Sequence, residues 1–394
     1  MTKKIVIFPN DPIKAYYKKG EIKPKYFNPQ NFFDEVHIIS FCDKEIEEEK
    51  VQEIAGKAKL KIYTRESAFF YRKPWLFFKR RNQILKLIKE INPDIIRAYN
   101  PFFNSGAITV YCGKKLNIPT VISLHGDYDE IRRLPLKYFR FLNDSSWAIL
   151  INHLFSIILS KFTEKYCLSN AANIICVSKF LVKYATKYGA KNISVIYNRV
   201  DTNQFIPQRD KNNRLIILSV GRVGVQKNQE CLIKSIKNLD VDLILIGQPD
   251  LNDRGYYRYL QRLVKKMKMN ERVKFIESVP NNKINHYYSN ADIFAIASRW
   301  EGFCVPVLEA MASGLPVVVD DKEPLPEVLG GTGMVVKNTP RAFEQAFKKL
   351  ISSPKLRKEL GEKARKKALE LDGKIMEQKE ADLYRKLLEG RSKN

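Results

Sequence analysis

Short apolar runs alternate with longer stretches of helical periodicity along the whole chain. Runs rich in Ile, Val and Leu that are separated by amphipathic patterns are typical of βαβ units on a parallel sheet. The predicted strands of the first half are 4–8, 36–41, 60–63, 94–98, 120–124, 173–177 and 194–197. The predicted strands of the second half are 215–220, 242–246, 273–276, 293–297, 316–319 and 334–336. Each half can form one doubly wound sheet, so we predict an α/β fold with two Rossmann-like domains.

A polar, turn-rich stretch over residues 198–210 predicts the linker between these halves. We therefore predict an N-terminal Rossmann-like domain of residues 1–205 and a C-terminal Rossmann-like domain of residues 206–374. The final helix, about 375–394, is expected to join the first domain. Ligands of doubly wound sheets bind at the carboxyl ends of strands and near helix N-termini, so chemically active residues are expected directly after strands.

Composition narrows the classes of partner. The 394 residues are 44% hydrophobic and 28% charged, which is typical of a globular protein, and the formal net charge of +26 favours nucleic acid, an anionic bilayer or a phosphorylated substrate. Six scattered cysteines and four histidines without ligand spacing argue against a metal site or disulfide framework. The amino terminus leads directly into a strand, and the apolar stretch 147–159 is too short to span a membrane, so we expect a cytoplasmic protein without a signal peptide.

The first candidate site is the segment SVGRVGVQKN, residues 219–228, after a predicted strand. Gly221 and Gly224 allow a tight turn whose N–H groups a phosphate can approach. Arg222 can donate a forked pair of hydrogen bonds to phosphate oxygens, and Lys227 adds a point charge. The alternative is an ordinary βα turn with two solvated cations, and these residues alone do not decide between the two.

The second candidate site is the segment 298–318, which follows the predicted strand 293–297. Pro306 suits the first turn of a helix, where its missing N–H costs nothing. The N–H groups of Phe303, Cys304 and Val305 would then point out of the helix N-terminus and form an anion site.

Two carboxylates flank the start of this helix. Glu301 lies in the loop before it, and Glu309 lies inside it within an apolar run, where a carboxylate needs hydrogen-bond donors. We predict that Glu301 accepts hydrogen bonds from the transferred sugar and Glu309 from a ribose. The alternative is a surface acid in the loop and a helix acid with a structural partner.

These segments resemble one family. Glu301 and Glu309, in EGFCVPVLEAMASGLPVV, form the E-x7-E motif of the family 4 retaining glycosyltransferases, and Gly221-Arg222 with Lys227 resembles that family's diphosphate-binding pair. Further segments that match the family in place and order are 172–207, 287–292 and 327–331. The resemblance is strong over residues 172–336 and holds in outline elsewhere.

The resemblance implies a GT-B fold and a UDP-sugar or GDP-sugar donor that is held by the second domain. It implies retaining transfer to a hydroxyl of a glycan or lipid-linked acceptor, without a metal or other cofactor. Arg222 and Lys227 would stabilise the leaving diphosphate, and Glu301 would hold the sugar. The donor-binding residues that it implies are Gly221, Val279, Gly302, Phe303, Cys304, Val305 and Glu309.

The first half matches the family less completely. His125, after the predicted strand 120–124, resembles the active-site histidine that lies beside the donor sugar, and Asp127 is a candidate for contact with the acceptor. The family's glycine-rich loop after the first strand is absent, and Lys19-Gly20 is the nearest candidate for the acceptor side. Cys304 stands where many members have glycine, and its side chain should narrow the space near the sugar.

Cations and aromatic residues alternate in the segments 71–89 and 132–141. Such segments suit an anionic membrane interface, so we expect peripheral contact with the inner face of the cell membrane. The alternative is a solvated helix face over ordinary core aromatics. No known nucleic-acid motif is present, so nucleic acid is not an expected partner.

Other function classes remain to be separated. A nucleotide-sugar epimerase shares the fold, whereas a phosphorylase would need a pyridoxal lysine site, which the sequence does not show. A non-catalytic nucleotide-sugar binder and a basic RNA-binding protein are alternatives of a different class. The intact set His125, Arg222, Lys227, Glu301 and Glu309 favours the enzyme.

Overall fold

The computed structural model describes residues 2–19, 22–41, 46–65, 75–130, 132, 147–207, 214–249 and 254–391. Its first sheet has seven strands: β1 (Lys4–Phe8), β2 (Glu35–Phe41), β3 (Lys59–Arg65), β4 (Ile95–Ala98), β5 (Thr120–Leu124), β6 (Asn173–Cys176) and β7 (Ile193–Val195). All neighbouring strands are parallel, in the order β3-β2-β1-β4-β5-β6-β7.

The second sheet has six strands: β8 (Ile216–Val220), β9 (Asp242–Ile246), β10 (Val273–Ile276), β11 (Ile293–Ile296), β12 (Val317–Asp320) and β13 (Met334–Val336). They too are parallel, in the order β10-β9-β8-β11-β12-β13. Every strand that the sequence predicts is present, with bounds that differ by two residues or fewer. The predicted pair of doubly wound α/β domains is therefore confirmed.

The helices are α1 (Ile13–Lys19), α2 (Trp75–Ile91), α3 (Ile108–Leu116), α4 (Trp147–Asn170), α5 (Phe180–Lys187), α6 (Gln229–Ser235), α7 (Arg254–Lys266), α8 (Ile284–Ser289), α9 (Val305–Ala312), α10 (Leu325–Leu329), α11 (Pro340–Ser352), α12 (Pro354–Leu369) and α13 (Gly373–Arg391). No helix among the described residues is long and apolar enough to cross a membrane. Short 3-10 turns add Pro29–Asn31 and Glu48–Ala55.

The central strands of both sheets are buried. Every residue of β5 and β11 is buried. Helices cover both faces of a parallel sheet, so apolar residues do not alternate with solvent-facing polar ones in these strands. The strand order reverses between β1 and β4 and again between β8 and β11. At such a point the connections leave to opposite faces and open a crevice beyond the strand ends, which is where the site lies.

The last helix packs against the first sheet. In α13, Glu377 contacts Lys25 at 2.8 Å, and Glu380 forms an ion pair with Arg97 of β4. Just before it, Asp372 accepts a hydrogen bond from Thr202 Oγ1 at 2.6 Å. The chain thus returns from the second sheet to the first at its end; the domain limits at residues 205 and 374 stay predictions.

Candidate active site

A cavity of about 840 Å³ lies where the two sheets face each other. The second half lines it with five of the predicted site residues: Gly221, Arg222, Val279, Val305 and Glu309. The first half lines it with four residues that sequence reasoning missed: Asp11, Tyr16, Lys23 and Tyr26. The volume suits a ligand of nucleotide-sugar size.

The glycine-rich turn after β8 is built by backbone contacts. Gly221 has a φ of 150°, and its N–H donates to Ile246 O at 2.8 Å. Gly247, at the end of β9, lies so close to this turn that a Cβ there would be 2.1 Å from Gly221 O. Only glycine allows this approach, so Gly247 helps to shape the phosphate-binding turn, although no motif in the sequence indicated it.

Arg222 and Lys227 lie at different depths. Arg222 is exposed at the cavity wall, whereas Lys227 is mostly buried in an ion pair with Glu301. The same Glu301 oxygen accepts a hydrogen bond from Ser298 Oγ at 2.6 Å. Burial disfavours the charge of Lys227, but the attraction of Glu301 outweighs it and raises the pKa of Lys227. The predicted diphosphate lysine is therefore charged and lies beside the predicted sugar-binding carboxylate.

Further contacts join the loops that carry this pair. Arg299 donates its backbone N–H to Gln226 O at 2.8 Å, and its guanidinium contacts Val225 O. Gln226 Nε2 donates to Trp300 O at 3.1 Å. These bonds fix the loop after β11 against the loop after β8, as two neighbouring parallel strands allow. The two motifs recognised in the sequence therefore form one site.

Glu309 has the hydrogen-bond donor that its apolar surroundings require. Tyr288 of α8 is fully buried and donates its hydroxyl to Glu309 Oε2 at 2.8 Å. Burial, followed by the nearby Glu309 charge, raises the pKa of Tyr288 well above its ordinary value. The tyrosine therefore stays a donor and holds a carboxylate that lines the cavity.

The start of α9 agrees with the predicted helix N-terminus. Pro306 lies in its first turn, and Val305 faces the cavity. Cys304 precedes the helix with a φ of 77°, in the left-handed region that favours glycine. Cys304 and Phe303 are buried beside Glu301 and contribute to the shape of this loop.

His125 packs against the loop of residues 301–304, which carries Glu301 and is called the sugar loop below. It lines a smaller cavity, of about 60 Å³, between the first sheet and α13. Gly302 lies in direct contact with the backbone of His125, because a Cβ at position 302 would be 1.7 Å from His125 O. The structure thus brings His125 against Gly302 but places its side chain outside the large cavity.

The surroundings of His125 keep its imidazole neutral. Burial, and then the charge of Arg97, lower the pKa of His125 to about 4. Its Nε2 is enclosed and has no hydrogen-bond partner among the described residues. The ring stacks on Tyr99, directly after β4, with 6.0 Å between centroids, and the guanidinium of Arg97 in β4 lies 4.2 Å from the Tyr99 ring centre. Arg97 and Tyr99 were not apparent as site residues in the sequence.

The remaining acceptor-side candidates are less defined. Asp127 Oδ1 accepts hydrogen bonds from the N–H groups of Asp129 and Glu130 at 2.9 and 3.2 Å, so this carboxylate stabilises the turn after β5. Lys19 ends α1, and Gly20 lies outside the described residues. Contact of any of the three with an acceptor stays a prediction.

The first basic segment is described from residue 75 onward, where it lies within α2, whereas only residue 132 of the second segment is described. Membrane contact through the two segments stays a prediction, but Arg132 itself is turned inward. Its guanidinium contacts Asp129 at 2.8 Å and Glu164 at 2.5 Å, and Glu164 is 1% exposed. Two carboxylates attract it inward and tie the loop after β5 to α4.

Within the described residues, no cluster of three or more His, Cys, Asp or Glu side chains could hold a metal ion.

Family models match most of the chain. The model described as Glycosyltransferase Family 4 matches residues 33–204, and the model described as Glycosyl transferases group 1 matches residues 201–367. The chain is a family 4 glycosyltransferase. The family resemblance predicted from the two motifs is confirmed, and the glycosyltransferase belongs to the hexosyltransferases, EC 2.4.

Named relatives agree. The glycosyltransferase is 27% identical over 279 residues to an uncharacterized glycosyltransferase, MJ1178, of Methanocaldococcus jannaschii, with 70% of each chain aligned. It is 30% identical over 201 residues to the O-antigen chain mannosyltransferase RfbU of Salmonella typhimurium, with 49% of this chain and 55% of the relative aligned. The alignments thus span between 55% and 70% of these relatives' length.

Solved structures confirm the GT-B fold. Sucrose-phosphate synthase from Thermosynechococcus elongatus superposes with a TM-score of 0.74 at 16% identity, over 98% of this chain and all of that one. Anabaena Alr3699/HepE in complex with UDP superposes with a TM-score of 0.73 at 16% identity, over 96% and 99% of the two chains. At these identities the likeness concerns the fold alone.

Proposed function

We propose that this glycosyltransferase moves a hexosyl group from a UDP-sugar or GDP-sugar to a hydroxyl of a glycan or lipid-linked acceptor, with retention of configuration and without a metal. The observation that carries the proposal is the arrangement around the large cavity. Arg222 and Glu309 line it, and the Lys227–Glu301 ion pair is held next to them by the loop contacts. In this arrangement a diphosphate could contact Arg222, and a ribose could contact Glu309.

Solved structures of the same fold support a nucleotide-sugar donor. HepE has been solved with UDP and with UDP-glucose, and its fold is the same. The position of Val279 and Asn281 in the cavity lining suits contact with a base. We propose that the donor binds with its base near these residues and its diphosphate near Arg222.

The reaction needs one bond exchange. The bond between the anomeric carbon and the diphosphate oxygen breaks, a bond to the acceptor oxygen forms on the same face, and the acceptor proton passes to the leaving phosphate. Arg222 and Lys227 stabilise the negative charge that develops on the diphosphate, as a metal ion does in other sugar transferases. The presence of Arg222 in the cavity lining and of the charged Lys227 beside Glu301 supports metal-free transfer.

The acceptor is proposed from relatives. RfbU is named an O-antigen chain mannosyltransferase, and another relative, from Escherichia coli, is named for a GlcNAc-diphosphoundecaprenol acceptor. The chain's charge of +26 favours an acceptor or surface that carries phosphate.

The test is a ligand screen followed by product analysis. A nucleotide that binds only the folded state raises the melting temperature, so UDP, GDP and their sugars are compared first. The best donor is then incubated with glycan and lipid-diphosphate acceptors, with and without EDTA. We expect an α-linked product from an α-linked donor in both arms. A β-linked product would refute retention, and loss of turnover in EDTA would refute metal-free transfer.

The same assay separates the other classes. An epimerase would change the donor sugar without an acceptor, and a non-catalytic binder would bind the nucleotide without any product. The family assignment favours the transferase over both.

We also propose contact with an anionic membrane through α4. Its exposed face presents Ile158 and Phe162, which are 57% and 70% exposed, beside the exposed Lys161 and Lys165. Apolar side chains with adjacent cations favour an anionic bilayer surface. The replacement of both Ile158 and Phe162 by serine should reduce flotation with anionic liposomes, whereas Leu369→Ser, on an exposed position of α12, should not. Equal flotation of both variants would contradict this assignment.

A further inference from the structure

The amino terminus of α5 is closed by a carboxylate from the other domain. Glu327 of α10 accepts hydrogen bonds from Lys179 N at 2.6 Å and from Phe180 N at 2.9 Å, one on each carboxylate oxygen. The first N–H groups of a helix have no partner within the helix, and the helix dipole favours an anion there. No side chain of the flanking residue Lys179 caps this end. The cap therefore comes from a residue about 150 positions later, across the cleft.

Other contacts across the cleft meet at the sugar loop. Ser178, which is fully buried, donates its hydroxyl to Gly302 O at 3.0 Å. The Tyr197 ring lies 5.8 Å from the Phe303 ring between centroids. The Tyr197 hydroxyl also interacts with Glu327, and burial together with this carboxylate raises the pKa of Tyr197 to about 12. One carboxylate thus contacts two of the three first-domain segments that touch the loop, and the third carries His125.

We propose that Glu327 is a positioning residue for sugar transfer: by binding the amino terminus of α5 it holds the first domain against the sugar loop, so that Gly302 meets His125. This inference rests on the proposed function, because it assigns Glu327 to the same reaction. Glu327 itself is not among the residues that line the large cavity. Its effect should therefore fall on turnover and on domain geometry, and not on nucleotide binding.

The geometry also explains why the contact is sensitive. Gly302 and His125 O are so close that a Cβ at position 302 would be 1.7 Å from this oxygen, so no side chain fits between the two segments. Ser178 lies directly before the two N–H groups that Glu327 binds, so a shift of α5 would move its hydroxyl away from Gly302 O. A small change at the cap is thereby transmitted to the loop that carries Glu301.

The test compares Glu327→Ala and Glu327→Gln with Glu344→Ala. Glutamine keeps the shape but can accept from only one of the two N–H groups. Glu344 is a carboxylate on α11 that pairs with Lys348 at 2.8 Å, and α11 packs on α6, α12 and β13 of its own domain. Turnover, donor KM, UDP affinity by calorimetry, melting temperature and the radius of gyration from X-ray scattering are measured for each.

We expect Glu327→Ala to lower kcat about tenfold or more, as the loss of a charge-assisted hydrogen bond would, with UDP affinity within about twofold of the wild type. Its radius of gyration with UDP bound should exceed that of the wild type, and Glu327→Gln should fall between the two. Glu344→Ala should match the wild type. Unchanged kcat, or reduced kcat with an unchanged radius of gyration, would overturn the proposal. If the wild type transfers no sugar while Glu327→Ala still expands, the proposed function fails and the domain contact stands.

Discussion

The donor side and the His125 side of this site are built in different ways. The donor side uses two short segments, 219–228 and 298–309, whose loops bond directly to each other. The His125 side depends on Arg97 and on a carboxylate from α13 that lies 283 residues further along the chain. Contiguous segments carry a recognisable sequence signal, whereas an assembly from distant elements does not. The difference explains why sequence reasoning found the donor site more completely.

The largest expected effect tests the donor cations. Arg222→Ala and Lys227→Ala should each lower turnover about 100-fold or more, because each removes a group that stabilises the leaving diphosphate. The structure adds a distinction between them. Lys227→Ala leaves Glu301 buried without its partner and should also lower the melting temperature, whereas Arg222 is exposed and its loss should not. Steady-state kinetics and thermal unfolding check both.

Arg214→Ala is the matched control, since Arg214 pairs with Asp240 at 2.9 Å at the opposite, amino-terminal end of β8. Its turnover should equal that of the wild type. Full activity of Arg222→Ala and Lys227→Ala would refute the claim that these cations stabilise the leaving diphosphate. The donor side could then no longer be described as the part of the site that its two sequence motifs define.

The next effect separates the two carboxylates. Glu301→Gln should lower turnover about tenfold or more yet retain UDP affinity, because its contact is with the sugar and strengthens as positive charge develops. Glu309→Ala should weaken UDP binding, because Glu309 lines the large cavity, whereas Glu301 and its partner Lys227 are not among the lining residues. Calorimetry with UDP on both variants decides. The reverse pattern would mean that the two roles are exchanged.

Much of the donor side could be predicted because its signals are local. The apolar runs predicted the thirteen strands found in the described part of the chain, and Pro306 predicted a helix start. Tyr288 donates the hydrogen bond that the buried Glu309 carboxylate needs. This pairing depends on how α8 packs, which the spacing of residues in the sequence does not reveal. Gly247 is needed only because the turn at Gly221 approaches it from the neighbouring strand.

The His125 side escaped prediction for a related reason. Arg97 lies in an apolar strand, and nothing near it in sequence indicates its partners Glu380 and Tyr384 on α13. The conformation of the sugar loop that places His125 against Gly302 depends on contacts between domains. Such pairings follow from tertiary packing and become visible only in the structure.

A smaller effect tests the neutrality of His125. Its pKa is lowered to about 4 by burial and then by Arg97, so protonation should not reduce activity until the pH approaches 4. The double variant Arg97→Met with Glu380→Gln removes the cation without leaving its carboxylate unpaired. The pKa of His125 should then rise toward its ordinary value, and turnover at pH 5 to 6 should fall relative to turnover at pH 8. Histidine NMR titration measures the shift directly.

His125→Asn identifies the His125 signal among those of the four histidines. Burial is the first cause of the lowered pKa, so the double variant should recover only part of the shift. If its His125 pKa stays at the wild-type value, Arg97 does not influence the imidazole. The His125 side would then depend, like the donor side, on residues that are close to each other in the sequence.

The smallest effect concerns Cys304, where the donor side departs from the family pattern. Its φ of 77° is costly for any residue with a Cβ, by about 1 to 2 kcal/mol, and glycine avoids this cost. Glycine also gives the unfolded chain more freedom, which offsets about 0.4 to 1 kcal/mol of the gain. Cys304→Gly should therefore be more stable than Cys304→Ala by up to about 1 kcal/mol in urea unfolding, although both lose the buried sulfur.

The same pair of variants tests donor choice. Cys304 is buried beside Glu301, so removal of its side chain should widen the space near the sugar. Both variants should accept bulkier donor sugars than the wild type does, because both lack the sulfur, while only the glycine variant relaxes the backbone. If alanine proves as stable as glycine, the left-handed conformation at Cys304 is not what favours glycine here. If neither variant changes donor preference, Cys304 affects the backbone of the loop and not the sugar pocket. The presence of cysteine where many family members have glycine would then matter for stability alone.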